Sequence, residues 1–231
     1  MPSFIRTVLR RTLGRVLRPD RNEPPATLGV QEAYARLADC YPAEAHNPFM
    51  RLEQATRLEL LPDVAGKTAL DVACGTGRYL EILRARGAAL AVGVDASAAM
   101  LGQARGLGAI ARGDLGALPV ASARFDCVVC GLAVGHVAAL AVAIAEMGRA
   151  LVPGGTLVYS DFHPFAGLQG HARTFSAKGQ AFAVEHHVHL YGAHQAACQA
   201  AGLEIEEVRD AMSATDPAFP AVLAIRARRR R

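Results

Sequence analysis

Two glycines and three carboxylates carry the chemistry that is easiest to read in this chain. The run Ala69-Leu70-Asp71-Val72-Ala73-Cys74-Gly75-Thr76-Gly77 starts apolar, passes through an acid and turns on Gly75 and Gly77 into a helical pattern. Glycines there permit a tight turn and a close backbone approach to a nucleotide-like ligand, and the helix that follows aims its first N–H groups at it. Such a turn also joins strand to helix in α/β proteins that hold no ligand, so alone it leaves the question open. Asp95 ends the next apolar run, about twenty residues past the turn, where an acid can grip a ribose diol with two hydrogen bonds. Gly113-Asp114 ends a third run. Histidines supply candidate bases for an acceptor that must lose a proton: His136, His163, and the group in Glu185-His186-His187-Val188-His189-Leu190-Tyr191. If that last stretch is a strand, His187, His189 and Tyr191 share one face and His186 takes the other. No paired cysteine or carboxylate arrangement accompanies these histidines, so no metal site is expected. Cys127 and Cys130 form a C-x-x-C, but inside an apolar strand they point to opposite faces, which argues against a redox or metal role.

The elements that must position these groups alternate strand and helix from Lys67 onward, the pattern of a doubly wound, parallel α/β sheet. Strands are predicted over Thr68–Val72, Ala89–Val94, Ala109–Arg112, Arg124–Cys130 and Thr156–Ser160, the last entered through the turn Pro153-Gly154-Gly155. Helices are predicted over Arg78–Arg86, Ser97–Arg105 (capped by Ser97) and Ala138–Leu151. An irregular stretch follows from Asp161 to Gly179, then a strand at Ala181–Tyr191, a helix at Ala193–Ala201, and strands at Leu203–Arg209 and Ala221–Arg226. Ahead of the first strand, helices are predicted at Val30–Tyr41 and from Asn47-Pro48 to about Leu61, with Asn47 as N-cap and Pro48 at the first helical position. These two helices would form a lid over the open end of the sheet, with Tyr34 and Tyr41 facing an acceptor or packing in the core.

At 231 residues the chain is long enough for one α/β domain, and no apolar run reaches the length of a membrane-spanning helix. Five irregularly spaced cysteines fit a reducing compartment, and a cytoplasmic location is expected. The +4 net charge is expected to sit in two tails: eleven of the 25 basic residues lie in Met1–Arg21 and Arg226–Arg231, leaving 14 against 20 acidic residues in the body. A basic nucleic-acid groove through the domain is therefore not expected. Residues 3–18 place Phe4, Ile5, Val8, Leu9, Leu13, Val16 and Leu17 at helical spacing among arginines. That pattern suits a basic amphipathic helix on an anionic membrane surface, on a partner or on its own domain. The expected organisation is this segment with a linker over 1–26, then one domain over 27–231. Within it, 27–62 would be the helical lid, 67–160 the donor-binding half and 161–231 the acceptor-side half. A monomer or homodimer is expected.

The turn lacks the third glycine of a dinucleotide fingerprint, which disfavours an NAD-type oxidoreductase. Asp71-Val-Ala-Cys-Gly-Thr-Gly77 instead resembles the first motif of the class I S-adenosylmethionine-dependent methyltransferases. The resemblance continues in order through Gly93-Val-Asp-Ala-Ser97, Gly113-Asp114, Phe125-Asp-Cys-Val-Val-Cys-Gly-Leu132 with His136 beyond it, and Arg149-Ala-Leu-Val-Pro-Gly-Gly-Thr156. It looks most like the small-molecule branch that includes ubiquinone/menaquinone and malonyl-carrier-protein methyltransferases. The resemblance implies a Rossmann-like, mostly parallel seven-stranded sheet and S-adenosylmethionine as donor. Asp71, Ala73, Cys74, Gly75 and Gly77 would hold the donor's amino-acid end, and Asp95 with Ala96 its ribose. Gly113, Asp114, Leu115 and Met100 would surround the adenine, and Gly131 with Leu132 would line the path to the methyl group. His136, His163 and His189 are the candidate bases; Tyr34, Tyr41, His187 and Tyr191 are candidate acceptor contacts. Bases of this kind suit an oxygen acceptor. A protein that binds the donor without catalysis, as a partner of another protein, is the alternative from a different class.

Overall fold

The computed structural model describes residues 25–177, 179–213 and 219–231. The amphipathic segment expected at residues 3–18, and residues 22–24 of the expected linker, lie outside them. The chain runs β1 (Ala26–Leu28), α1 (Val30–Leu37), a 3₁₀ turn (Ala38–Cys40), α2 (Pro48–Leu60), β2 (Thr68–Val72), α3 (Arg78–Ala85), β3 (Leu90–Asp95), α4 (Ala98–Gln103) and β4 (Ala109–Arg112). It continues with β5 (Phe125–Gly131), a 3₁₀ turn (Val134–His136), α5 (Leu140–Ala150), β6 (Leu151–Phe162), α6 (Pro164–Leu168), β7 (Thr174–Ala177), β8 (Gln180–Val184), α7 (Tyr191–Ala200), β9 (Leu203–Met212) and β10 (Pro220–Arg229).

Seven strands form one sheet in the order β4-β3-β2-β5-β6-β10-β9. The first five are parallel, and β10 is antiparallel to both its neighbours. The expected Rossmann-like, mostly parallel seven-stranded sheet is therefore what the chain forms. Its central strands are buried on both faces, which is why β5 reads as a continuous apolar run. Cys127 and Cys130 do face opposite sides: Cys127 packs with Leu80, Leu83 and Val158, Cys130 with Ile144, Met147 and Tyr159. Among the described residues no helix is long and apolar enough to cross a membrane.

Four expectations change. First, the region ahead of the sheet is only partly helical. β1, β8 and β7 make a separate three-stranded sheet, in which Ala26 (expected in a linker) pairs with Phe182, and the cavity-lining Tyr34 and Arg173 follow β1 and precede β7. Second, α2 is no lid. Asn47 caps it by accepting from Met50 N at 2.8 Å, as its sequence predicts, but Met50, Glu53, Thr56, Arg57 and Leu60 are buried and the helix packs on β6, β10 and β9. Third, the strand expected to run to Tyr191 stops at Val184. Its partners run out there, since β1 ends at Leu28 opposite Val184 and β7 begins at Thr174 opposite Ala183. Residues 185–190 are irregular and Tyr191 opens α7, so the histidines do not alternate on a strand. Fourth, the C-terminal arginines are not a tail. Arg226, Arg228 and Arg229 lie in β10; Arg226 and Arg228 pair with Glu206 at 3.1 and 2.5 Å, and Arg229 donates to the carbonyls of Arg149 and Leu151.

Candidate active site

A cavity of about 200 Å³ opens at the carboxyl ends of β2, β3, β4 and β5, where the crevice of an open parallel sheet lies. Asp71, Ala73, Cys74, Gly75, Asp95, Ala96, Met100, Gly113, Asp114, Leu115, Gly131 and Leu132 all line it. Gly77 stands behind the wall as N-cap of α3, with φ of 91°, and an added Cβ would lie 2.5 Å from Leu107 Cδ1. Gly75, with φ of 55°, has nothing within 4 Å of such a Cβ, so its backbone borders open space. β2 and β5 are each followed by a left-handed residue with a side chain, Ala73 and Leu132, both with φ of 56°. Such conformations cost about 1–3 kcal/mol each and cluster where a chain must present its backbone to a ligand.

The carboxylates differ in environment. Asp95 Oδ2 accepts from Gly75 N and its Oδ1 from Ser97 N, both at 2.8 Å, which ties the glycine turn to the end of β3. Burial raises its pKa and these two bonds oppose the rise. Asp114 Oδ1 accepts from Gly116 N at 2.8 Å and is exposed. Asp71 is 2% exposed; burial lifts its pKa to about 7 against the pull of Arg57 and Arg78, and its Oδ2 has no hydrogen-bond partner.

Beneath Asp71 lies a charge network from α2 and α3. Glu53 is fully buried; its Oε1 accepts from Ser160 Oγ at 2.7 Å and its Oε2 from Arg78 Nη2 at 3.1 Å. Arg57 Nε lies 3.0 Å from Glu53 Oε1 but off the hydrogen-bonding direction, and the guanidinium carbon sits 3.4 Å from the centre of the Tyr79 ring. Burial works against the Arg57 charge, but Glu53, Tyr79 and Asp71 outweigh it and raise its pKa.

At the other end, Tyr34, Tyr41, His136 and Arg173 line the cavity. His136 Nδ1 lies 3.0 Å from the Glu185 carbonyl, which can only accept, so Nδ1 carries the proton. Its Nε2 then accepts from Tyr34 OH at 3.0 Å, and Tyr34 accepts from Arg173 Nη2 at 2.9 Å. Arg173 Nη1 donates to Leu132 O at 2.6 Å. Burial, aided by Arg173, drops the His136 pKa to about 3; burial lifts Tyr34 to about 12 despite Arg173. Both are neutral near pH 7, and His136 is a weak base with its free lone pair already engaged.

Five other histidines gather elsewhere, around a second space of about 10 Å³ lined by His163, His186, His187, His189 and His194. His163 caps α6 by accepting from Phe165 N and lies 3.1 Å from Asp210 Oδ1. His189 Nε2 donates to Val137 O at 2.8 Å. The His187 ring is stacked on His189 at 6.4 Å, and Tyr191 is exposed. None of His163, His187, His189 and Tyr191 lines the main cavity. Among the described residues, no group of three or more His, Cys, Asp or Glu is arranged to hold a metal ion.

Sequence reasoning missed Glu53, Arg57 and Arg173. The first two carried a signal: a charged i,i+4 pair in register with the apolar Met50 and Leu60 of the same helix. Arg173 carried none.

The methyltransferase-domain family matches residues 70–159. A malonyl-[acyl-carrier protein] O-methyltransferase from Enterobacter lignolyticus is 34% identical over 134 residues, covering 57% of this chain and 52% of that protein. The same-named protein of Dechloromonas aromatica is 31% identical over 180 residues, 77% of this chain and 64% of that one. A 2-phytyl-1,4-naphtoquinone methyltransferase from Thermosynechococcus vestitus is 37% identical over 144 residues, 58% of this chain and 62% of that one. The chain spans about half the length of the first curated relatives it matches. Among solved structures, an S-adenosylmethionine-dependent methyltransferase from Mesorhizobium loti superposes with a TM-score of 0.68 at 25% identity, covering 77% of this chain and 98% of that one. The N-methyltransferase NodS of Bradyrhizobium japonicum, solved with S-adenosyl-l-homocysteine, shares the fold with a TM-score of 0.67 at 18% identity, covering 87% of this chain and 98% of that one. Motifs in order across residues 70–159, and a fold that covers 98% of such a structure, make this chain similar to the class I S-adenosylmethionine-dependent methyltransferases.

Proposed function

We propose that the protein transfers a methyl group from S-adenosylmethionine to an oxygen of a small-molecule acceptor, and that the acceptor presents an ionised carboxylate. The donor fits the cavity through an acid placed for a ribose diol (Asp95), an open glycine turn (Gly75) and a buried carboxylate atom without a partner (Asp71 Oδ2). When bound, the donor supplies an electrophilic methyl group on a sulfonium. Asp71 holds its ammonium group, Asp95 its ribose hydroxyls, Asp114 its adenine amino group, and Met100 and Leu115 flank the ring. Gly131 and Leu132 line the approach to the methyl group.

The observation that carries the acceptor reading is Arg173. Its guanidinium lines the cavity beside Tyr34 and Leu132, where it can hold an anion in line for attack. A carboxylate needs no base, which agrees with a His136 whose pKa is pressed to about 3. The malonyl-carrier-protein relatives are named O-methyltransferases, which supports the oxygen reading. The test is incubation with labelled donor and parallel sets of acyl-chain carboxylic acids, quinols and amines. Acids are expected to take the label, and Arg173→Met to lower kcat/KM for them by about 10- to 150-fold, the worth of one charge-assisted contact, with donor affinity retained. Labelling of quinols or amines with acids left untouched would overturn the carboxylate reading. Calorimetry showing binding of NAD and of no adenosyl-sulfonium compound would overturn the donor.

The donor site also sets a pH dependence. Asp71, at about 7, is largely protonated below that pH, so binding the donor's ammonium releases a proton there. Affinity is expected to climb as pH rises from about 6, at most about tenfold per unit below the pKa, and to level off above about 8. The sign is opposite for the ligand-free fold. A carboxyl whose folded pKa is raised contributes stability that fades as pH rises toward about 7. Calorimetry in two buffers of different ionisation heat measures the proton release, and Asp71→Asn should flatten the profile.

A further inference from the structure

We infer that Arg57 binds the donor's carboxylate, so that Arg57 and Asp71 together recognise the zwitterion of an α-amino acid; this rests on the donor reading above. Arg57 is 1% exposed yet borders the main cavity, and its Nη1 has no hydrogen-bond partner. Buried guanidinium N–H groups are normally satisfied, and one left open beside a cavity awaits an acceptor. Glu53 does not supply it: its oxygens take Ser160 and Arg78, and its 3.0 Å approach is to Arg57 Nε rather than Nη1. The guanidinium groups of Arg57 and Arg78 are thus set against Glu53 and Asp71 alone, and Asp71 leaves Nη1 unpartnered as well.

Asp71 is the complementary orphan. Its Oδ2 is buried, borders the same cavity and has no partner, so neither atom satisfies the other. One unpartnered donor and one unpartnered carboxylate oxygen, side by side on one wall, match the two charged groups on a single α-carbon. The position of Arg57 is prepared by its neighbours. The Tyr79 ring fixes the guanidinium plane from below, and at Gly131 an added Cβ would lie 2.2 Å from Nη1, so β5 ends in the one residue that leaves the guanidinium room.

The experiment is calorimetry on the full chain with S-adenosylmethionine, decarboxylated S-adenosylmethionine and 5′-methylthioadenosine, the last lacking the whole amino-acid end. For the unaltered protein, loss of the carboxylate should weaken binding by about 10- to 150-fold, as for a charge-assisted hydrogen bond. Arg57→Met should weaken S-adenosylmethionine by a similar factor while the two carboxylate-free ligands bind as before, and Arg57→Lys should recover part of the loss. Gly131→Ala, which pushes the guanidinium aside without removing a charge, should also erase the preference for the carboxylate, and it decides the matter if Arg57→Met fails to fold. Equal binding of donor and decarboxylated donor by the unaltered protein, or a preference that survives in both variants, would overturn the role of Arg57 and leave the donor reading standing. Failure of all three ligands to bind would overturn both.

Discussion

Replacing Glu53 with alanine should cost about 3–5 kcal/mol of stability, the loss typical of stripping one partner from a buried ion pair. Among the described residues Glu53 is the carboxylate that hydrogen-bonds Arg78 and lies 3.0 Å from Arg57 Nε, and it is fully buried between α2 and β6. Its removal leaves both guanidinium groups to the weaker pull of Asp71, which burial keeps partly protonated near neutral pH, and orphans Ser160 Oγ. Urea unfolding should show the midpoint falling with the m-value unchanged. A surface control sharpens the comparison. Glu206 pairs with Arg226 and Arg228 at 3.1 and 2.5 Å, but the arginine side chains are 29% and 50% exposed, so Glu206→Ala should cost less than about 1 kcal/mol. A Glu53→Ala loss as small as the control's would mean that water enters the network and screens it.

Asp95→Ala should weaken donor binding by at least about 100-fold, since two charge-assisted hydrogen bonds to the ribose are lost together. The same substitution releases Gly75 N and Ser97 N, both held at 2.8 Å, so the glycine turn loses its tie to β3 as well. The pattern across ligands tells this role from that of Asp71. The ribose is common to S-adenosylmethionine and 5′-methylthioadenosine, so Asp95→Ala should weaken both alike, whereas Asp71→Asn should spare the second. Calorimetry with the two ligands measures both, and a loss below about tenfold for Asp95→Ala would remove the ribose assignment.

The half of the cavity around the glycine turn was legible because each part is punctuated locally. β2 was read at Thr68–Val72 and β4 at Ala109–Arg112, both with the bounds they adopt, since each is a short apolar run closed by glycine or an acid. Asn47-Pro48 marked the start of α2, and Ser97 the start of α4, for the same reason. The half around Tyr34 and Arg173 was not legible, because it is made by pairings between distant residues. β1 and β8 are too short to announce themselves, and each is a strand only because the other is there. The histidine stretch had the right alternation for a strand but no partner past Val184. Burial misled in the other direction. Glu53 and Arg57 look like a solvated helix pair, and the terminal arginines like a solvated tail, until the sheet places α2 under β6 and β10 between β6 and β9. Arg173 sits in an irregular approach to β7 and owes its role wholly to what surrounds it.

The place of β10 bears on how the protein comes to be folded in the first place. Residues 220–229 leave the ribosome after the other six strands of the sheet, yet they fill an inner position, pairing Val222 with Phe162 and, on the other side, Arg229 with Leu203. Until they arrive, β6 waits with one edge open, carrying Leu157, Val158 and Tyr159, all buried in the finished sheet. An open edge of that composition recruits other strands. Completion of the sheet thus waits for a strand made later than its other six, and a nascent chain halted short of residue 220 is the form most exposed to aggregation and to chaperone capture. The acids of β9 and the arginines of β10 suit that late step, since Glu206 and Glu207 face Arg226 and Arg228 and can draw the last strand to its register before the apolar contacts close.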